Sequence, residues 1–319
     1  MSRKSPVIVD LKFDPAVVAK ALSTAFADRE VINVADPATT GRDLAGIDYA
    51  IVWNPDPDLF SRARDLKVIF SGGAGVDKIL SMAALPEVPV VRFVDPSLTT
   101  RMSEWIVLQC LTHLRQVSAY ARQQRDRLWQ ELSQPAAEEI TVGVMGLGIL
   151  GRDAVEKLRV MGFNVIGWSR TKKTIDGVET YDAAGLETFL GRTDFLVGLL
   201  PLTPDTTGIF NARLFAGLRQ GGALGKPVFI NAGRGRSQVE TDLIAALNAG
   251  VLGAASLDVF EQEPLSPESP IWAMDNVVLT PHAAAASDER ALFRYVESQI
   301  RQFEQDGSLD NLVDRTVGY

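Results

Sequence analysis

The chain has 319 residues, 46% hydrophobic and 23% charged, enough for two domains with a core each. A formal net charge of −8 excludes the basic footprint of a nucleic-acid binder and repels anions, so any carboxylate substrate must be captured by local donors. One cysteine, Cys110, excludes a disulfide framework and a thiolate metal cluster, and only two histidines, His113 and His282, are present for proton transfer near neutral pH.

Met1 to Pro6 run straight into Val7-Ile8-Val9-Asp10. The apolar part is too short for a signal peptide and nothing approaches a membrane span, so a soluble cytoplasmic protein is expected. Further apolar runs predict buried strands at Tyr49 to Trp53, Val68 to Phe70 and Val90 to Phe93. Helical segments between them, such as Pro15 to Phe26 and Asp58 to Ala63, imply a parallel sheet. Phe70-Ser71-Gly72-Gly73-Ala74-Gly75 is a glycine-rich turn that lacks the phosphate fingerprint.

Asp95-Pro96-Ser97 breaks the pattern, and a long helical run is predicted from about Met102 to Gln123. It contains Cys110, read as an inert core thiol, and His113, read as a packed or interface histidine. A second alternation follows Ser133-Gln134-Pro135. Its six strands are Ile140 to Met145, Asn164 to Trp168, Phe195 to Leu199, Val228 to Asn231, Ala254 to Leu257 and Val277 to Thr280. That is the layout of a doubly wound dinucleotide fold. A last helix, from about Ser287 to Gln305, is placed to close back onto the first part.

Gly146-Leu147-Gly148-Ile149-Leu150-Gly151 follows the first strand of the second alternation. There Gly146 permits a tight turn, Gly148 lets backbone approach a pyrophosphate, and Gly151 allows close helix–strand packing. The amides and dipole of the following helix then face the phosphates. At the end of the next strand an NAD site usually carries an acid for the ribose hydroxyl. Here Ser169 stands in that place, followed by Arg170, Thr171, Lys172 and Lys173. A carboxylate would repel a 2′-phosphate and an arginine fork suits it, so NADP(H) is expected over NAD(H). The plain alternative is a solvated basic loop.

Three late motifs each follow a strand: Asn231-Ala232-Gly233-Arg234-Gly235, Asp258-Val259-Phe260-Glu261-Gln262-Glu263-Pro264-Leu265 and Thr280-Pro281-His282. With Leu200-Pro201-Leu202-Thr203-Pro204-Asp205-Thr206-Thr207-Gly208 and the terminal Val313-Asp314-Arg315 … Gly318-Tyr319, they carry a resemblance over essentially the whole chain. The chain resembles the D-isomer-specific 2-hydroxyacid dehydrogenases, and among them the glyoxylate/hydroxypyruvate reductase A branch.

The resemblance implies two Rossmann-like, doubly wound parallel-sheet α/β domains with a cleft between them. The substrate domain would comprise residues 1–102 and 286–319, and the cofactor domain residues 103–285. It implies reduction of a short 2-oxo acid, glyoxylate or hydroxypyruvate, to the D-2-hydroxy acid. His282 would donate the proton, Glu263 would pair with it, and Arg234 would grip the substrate. These roles suit the chemistry, since a carboxylate stabilises imidazolium and a planar, always-charged fork orients an oxo acid.

Gly146, Gly148, Ile149, Leu150, Gly151, Ser169, Arg170, Thr171, Lys172, Leu200, Pro201, Thr206, Ala232 and Asp258 correspond to cofactor-binding positions, Asp258 receiving the nicotinamide carboxamide. Amides of Ala74 and Gly75 would take the substrate carboxylate. Trp53 is either a wall of the pocket or ordinary core packing. The segment Tyr120 to Trp129 resembles an arm that reaches a partner, so a homodimer is expected, and no metal, nucleic acid or membrane partner is. The alternatives are a sister activity of D-lactate, phosphoglycerate or phenylpyruvate type, or a cofactor-sensing corepressor-like protein of the same fold.

Overall fold

The computed structural model describes residues 4–11, 15–39, 41–285 and 287–315. Met1 to Arg3, the boundary residue Ala286, and Gly318 and Tyr319 of the terminal motif lie outside these. The chain divides into two compact units, Met1–Leu98 with Ser287–Tyr319, and Thr99–Ala286.

The first unit is built on five parallel strands: β1 (Val7–Asp10), β2 (Val31–Asn33), β3 (Tyr49–Val52), β4 (Val68–Ser71) and β5 (Val90–Val91). Their order is β2-β1-β3-β4-β5. Side chains alternate between faces along each strand, and here both faces are covered, which is why the strands read as unbroken apolar runs. Val7, Val9, Ile51 and Phe70 pack with Leu292, Phe293, Val296 and Ile300 of the helix Glu289–Asp306. Ile8, Ala50, Val52 and Ile69 pack with Leu59, Phe60 and Ile79 on the other face. The Glu289–Asp306 helix starts where the Asp288 carboxylate accepts from the Ala291 amide at 2.8 Å, and it ends at Gly307 in the left-handed region.

The second unit has seven parallel strands: β6 (Thr141–Met145), β7 (Asn164–Trp168), β8 (Glu179–Tyr181), β9 (Phe195–Gly198), β10 (Val228–Asn231), β11 (Ala254–Leu257) and β12 (Val277–Leu279). Their order is β12-β11-β10-β9-β6-β7-β8. The chain winds outward from β6 to β8, then returns to lay β9 on the other side of β6. A doubly wound sheet opens its ligand crevice at such a reversal, at the carboxyl ends of the strands. Ala154, Val155 and Leu158 of the helix Ile149–Val160 pack with Val142, Val144, Phe163 and Phe195.

Three features differ from the sequence expectation. Strands β2 and β8 are additional; both are short edge strands of three residues, and β8 is polar. The long helix begins earlier, at Pro96, and spans Pro96–Leu114. Proline suits a first helical position, and Asp95 accepts from the Ser97 amide at 3.0 Å. That helix does not run on to Gln123: Gln116 adopts a φ of 53° and a second helix spans Val117–Asp126. Among the described residues no helix is long and apolar enough to cross a membrane.

Candidate active site

The Gly146–Gly151 turn lies at the reversal, at the carboxyl end of β6. A Cβ on Gly151 would sit 1.8 Å from the Gly146 carbonyl oxygen, so any side chain there would drive the helix off the strand. Gly148 is the opposite case. It precedes the helix Ile149–Val160, is exposed, and a Cβ on it would meet nothing within 4 Å. The space in front of the first helical amides is therefore open to a phosphate, with Ile149 half-exposed beside it and Leu150 partly buried.

At the end of β7, Ser169 is buried and its hydroxyl donates to the Thr171 carbonyl at 2.7 Å. The serine shapes the basic loop from within, while Arg170, Thr171 and Lys172 are exposed. Arg170 Nη1 lies 3.7 Å from Asp205 Oδ2. Asp205 belongs to the turn after β9, where Thr206 Oγ1 donates to the Pro201 carbonyl at 2.6 Å and accepts from the Thr203 amide at 2.8 Å. Leu200, just before it, is buried.

The three late motifs follow β10, β11 and β12, which are neighbours in the sheet. After β10, Ala232 is buried and donates its amide to the Gly198 carbonyl at 3.2 Å. Asn231, fully buried, ties the Arg234 turn together. Its Oδ1 accepts from the Gly233 amide at 3.0 Å, and its Nδ2 donates to the Arg234 carbonyl at 3.3 Å and to Gln238 Oε1 at 2.9 Å. Arg234 Nη1 donates to the Gly233 carbonyl at 2.8 Å, which restrains the guanidinium. Gly235 lies against the chain after β11 so closely that a Cβ would come within 1.8 Å of the Phe260 carbonyl oxygen.

Asp258, 1% exposed, is the hub. Its Oδ1 accepts from Thr280 Oγ1 at 2.6 Å, the Ala283 amide at 2.7 Å and the Ala284 amide at 3.0 Å. Its carbonyl accepts from the His282 amide at 2.8 Å. These bonds hold His282 at a φ of 53°, a conformation uncommon for a residue with a side chain. Among the described residues no donor reaches Asp258 Oδ2, so that oxygen could accept from a ligand.

His282 Nδ1 lies 2.8 Å from Glu263 Oε2. A carboxylate only accepts, so Nδ1 carries the hydrogen and Nε2 is the nitrogen left for proton exchange. Glu263 Oε1 accepts from the Phe260 amide at 3.1 Å, fixing the carboxylate from behind. Thus the structure brings Glu263, His282 and Asp258 into one network and sets Arg234 on the neighbouring strand end. Thr280, Asn231 and Gln238 join that scaffold without having been assigned a role from sequence. For Asn231 and Thr280 the signal was position alone, a polar residue at or just past the carboxyl end of a strand; Gln238, seven positions beyond Asn231, carried none.

His113 is elsewhere. Its Nε2 lies 2.8 Å from Ser256 Oγ, whose hydrogen goes to Gln109 Oε1 at 2.9 Å, so His113 must donate as the neutral Nε2–H tautomer. Burial pushes its pKa down to about 4. Cys110 is fully buried, and burial pushes its thiol up. In the first unit, Trp53 and the pair Ala74 and Gly75 follow the carboxyl ends of β3 and β4. Among the described residues no group of His, Cys, Asp or Glu is placed to hold a metal ion.

Residues 107–284 match the family described as D-isomer specific 2-hydroxyacid dehydrogenase, NAD binding domain. The chain is similar to glyoxylate/hydroxypyruvate reductase A of Yersinia enterocolitica, with 39% identity over 286 residues, 87% of this chain and 89% of the relative. Among solved structures it resembles the NADPH-dependent glyoxylate/hydroxypyruvate reductase of Sinorhizobium meliloti in complex with NADP and sulfate. That match has 66% identity and a TM-score of 0.97, covering 99% of this chain and all (100%) of the other. A probable 2-hydroxyacid dehydrogenase of Rhizobium etli, in complex with NADP, HEPES and L(+)-tartaric acid, is 62% identical with a TM-score of 0.92, covering 99% and 100%.

Proposed function

The chain belongs to the D-isomer-specific 2-hydroxyacid dehydrogenase family, and from that premise we propose that it reduces glyoxylate and hydroxypyruvate to their 2-hydroxy acids with NADPH. The observation that carries the reading is the Glu263–His282 pair, 2.8 Å apart on a loop pinned by Asp258. Two relatives named as glyoxylate/hydroxypyruvate reductases support the choice of substrate, and the Sinorhizobium meliloti one, named as NADPH-dependent, supports the choice of cofactor.

Bound NADPH supplies the hydride that reaches the carbonyl carbon. The chain supplies the rest. Glu263 accepts a hydrogen bond from the Nδ1–H of His282 and stabilises the imidazolium, so that Nε2–H can pass its proton to the substrate oxygen. Arg234 meets the substrate carboxylate and carbonyl oxygen with a fork that stays charged and opposes developing negative charge there. The open face of Gly148 and the amides of the helix Ile149–Val160 receive the pyrophosphate. Asp258 Oδ2 accepts from the nicotinamide carboxamide. Arg170, with no acid at Ser169 to oppose it, takes the 2′-phosphate.

The chain acts as a homodimer joined through the segment Tyr120 to Trp129. Trp129 is fully exposed and Leu128 half-exposed, which is unusual for such apolar bulk on a lone chain. Oxidation of NADPH by the purified protein with glyoxylate tests the activity, and absence of turnover with both acids would overturn it. Sedimentation equilibrium of the native chain and Trp129→Ser tests the dimer, which the variant should weaken.

A further inference from the structure

The sheet of the first unit, β2-β1-β3-β4-β5, reverses between β1 and β3, where a doubly wound sheet places its ligand crevice. Asp10 stands there. It ends β1 and is fully buried. Its Oδ2 accepts from the Asp56 amide at 2.8 Å, and its carbonyl accepts from the Trp53 amide at 2.8 Å. Between those two anchors Asn54 turns the chain through a φ of 51°. The loop 53–56 is thus folded back onto a buried carboxylate. Outside it, Asn54, Pro55 and Pro57 line an open cavity of about 490 Å³ with Lys78, Ser81 and Met82, so little packs on the loop from that side.

The same loop sets the Trp53 indole on the turn that follows β4. A Cβ on Gly73 would come within 2.7 Å of an indole carbon, so only glycine lets the ring lie there. That turn is itself braced: Ser71 Oγ donates to the Gly75 carbonyl at 3.1 Å. A buried carboxylate is costly unless hydrogen-bonded, and its bond to an amide is about twice as strong as a neutral one. An acceptor of that strength suits a short loop with little packing of its own.

We propose that Asp10 is a positioning residue that fixes Trp53 as the size limit of the substrate pocket, restricting it to short 2-oxo acids. This inference rests on the reductase reading above. A loosened loop frees the indole to move off the turn and admits a larger group on the carbonyl carbon.

The test compares glyoxylate with phenylpyruvate, which carries a benzyl group there, in the native enzyme, Asp10→Ala and Asp10→Asn. Asparagine keeps an acceptor oxygen for the Asp56 amide, and alanine does not. In Asp10→Ala the ratio of kcat/KM for glyoxylate over phenylpyruvate should fall at least ~10-fold, with the KM for NADPH unchanged. Asp10→Asn should keep the ratio within about 3-fold of native. A uniform loss on both acids, leaving the ratio unmoved, would mark a merely structural role and overturn the proposal.

Hydrogen exchange gives a readout besides activity. The Asp56 amide should lose protection in Asp10→Ala and keep it in Asp10→Asn, and protection that survives in Asp10→Ala refutes the anchor. If Asp10→Ala yields no folded protein, Asp10→Thr replaces it, its shorter acceptor falling short of Asp56. Should the native enzyme reduce neither acid, the reductase reading fails, while the exchange measurement still decides whether Asp10 holds the loop.

Discussion

Replacing Asp258 by alanine removes one carboxylate oxygen that takes three donors, from Thr280, Ala283 and Ala284. A hydrogen bond to a charged group contributes about 1.5–3 kcal/mol. The three share one oxygen, and the variant also sheds a buried charge, so the terms do not add; a net loss of about 3–5 kcal/mol is expected. At about 2–4 °C per kcal/mol for a unit of this size, melting should fall by roughly 10 °C. The loss also reaches the chemistry. His282 is held in the left-handed region by this network, and its imidazole leaves its place once the Ala283 and Ala284 amides are released. A misplacement near 1 Å costs about 10²-fold in rate. Asp258→Asn keeps an acceptor at the Oδ1 position, so its melting should fall by less than half as much. It puts an NH₂ group where Oδ2 stood, so the KM for NADPH should rise. Calorimetry with steady-state reduction of glyoxylate reads all of this. An Asp258→Ala protein that melts like the native one and keeps its turnover would refute the reasoning.

His282→Gln should melt like the native protein and bind NADPH, yet lose about 10²–10⁴-fold in turnover, as a missing general acid does; near-native kcat with glyoxylate sinks that assignment. Arg234→Lys keeps the charge but not the fork, so KM for glyoxylate should rise and kcat fall with NADPH affinity unchanged; a change confined to NADPH would make Arg234 a cofactor residue. Ser169→Asp/Arg170→Ala should reduce kcat/KM for NADPH more than for NADH, and the native preference should weaken at high salt because Arg170 is half-exposed; an unchanged cofactor ratio restores the solvated-loop reading. Burial holds the His113 pKa near 4 against an ordinary 6.5, so only the unfolded chain takes up that proton between these values. Its contribution is constant above pH 6.5 and is lost as pH falls towards 4, by at most about 3 kcal/mol. Stability curves of the native protein and His113→Asn should converge at low pH, and parallel curves would count against it.

How far the fold could be read depended on where each strand lies. Strands covered on both faces appear as apolar runs, and β1, β3, β4, β6, β7, β9, β10 and β11 were legible within a residue or two. The edge strands β2 and β8 have three residues each, and Glu179-Thr180-Tyr181 carries no apolar run to recognise. Pro96 read as a breaker because proline stops a helix in its middle but opens one at its first turn. The break at Gln116 has no glycine or proline to announce it.

The candidate site was legible where chemistry constrains residue type and opaque where only geometry does. A proton donor, a fork and a phosphate turn each require particular side chains, so His282, Arg234 and Gly146–Gly151 stood out. What joins them does not. Glu263 and His282 are 19 positions apart, and Asp258 reaches Thr280 across 22. The sheet order β12-β11-β10 closes these distances by setting three strand ends side by side. The resemblance implied for Asp258 only a contact to the nicotinamide carboxamide, whereas in the structure its carboxylate holds the histidine loop. Asp10 gave no signal, since an acid ending a strand is ordinary until the amide it binds, 46 positions on, is known. The same limit applies to the net charge of −8: it says that anions are repelled on average, while capture of a carboxylate depends on a few local donors such as Arg234, just past the end of β10, which an averaged charge does not register.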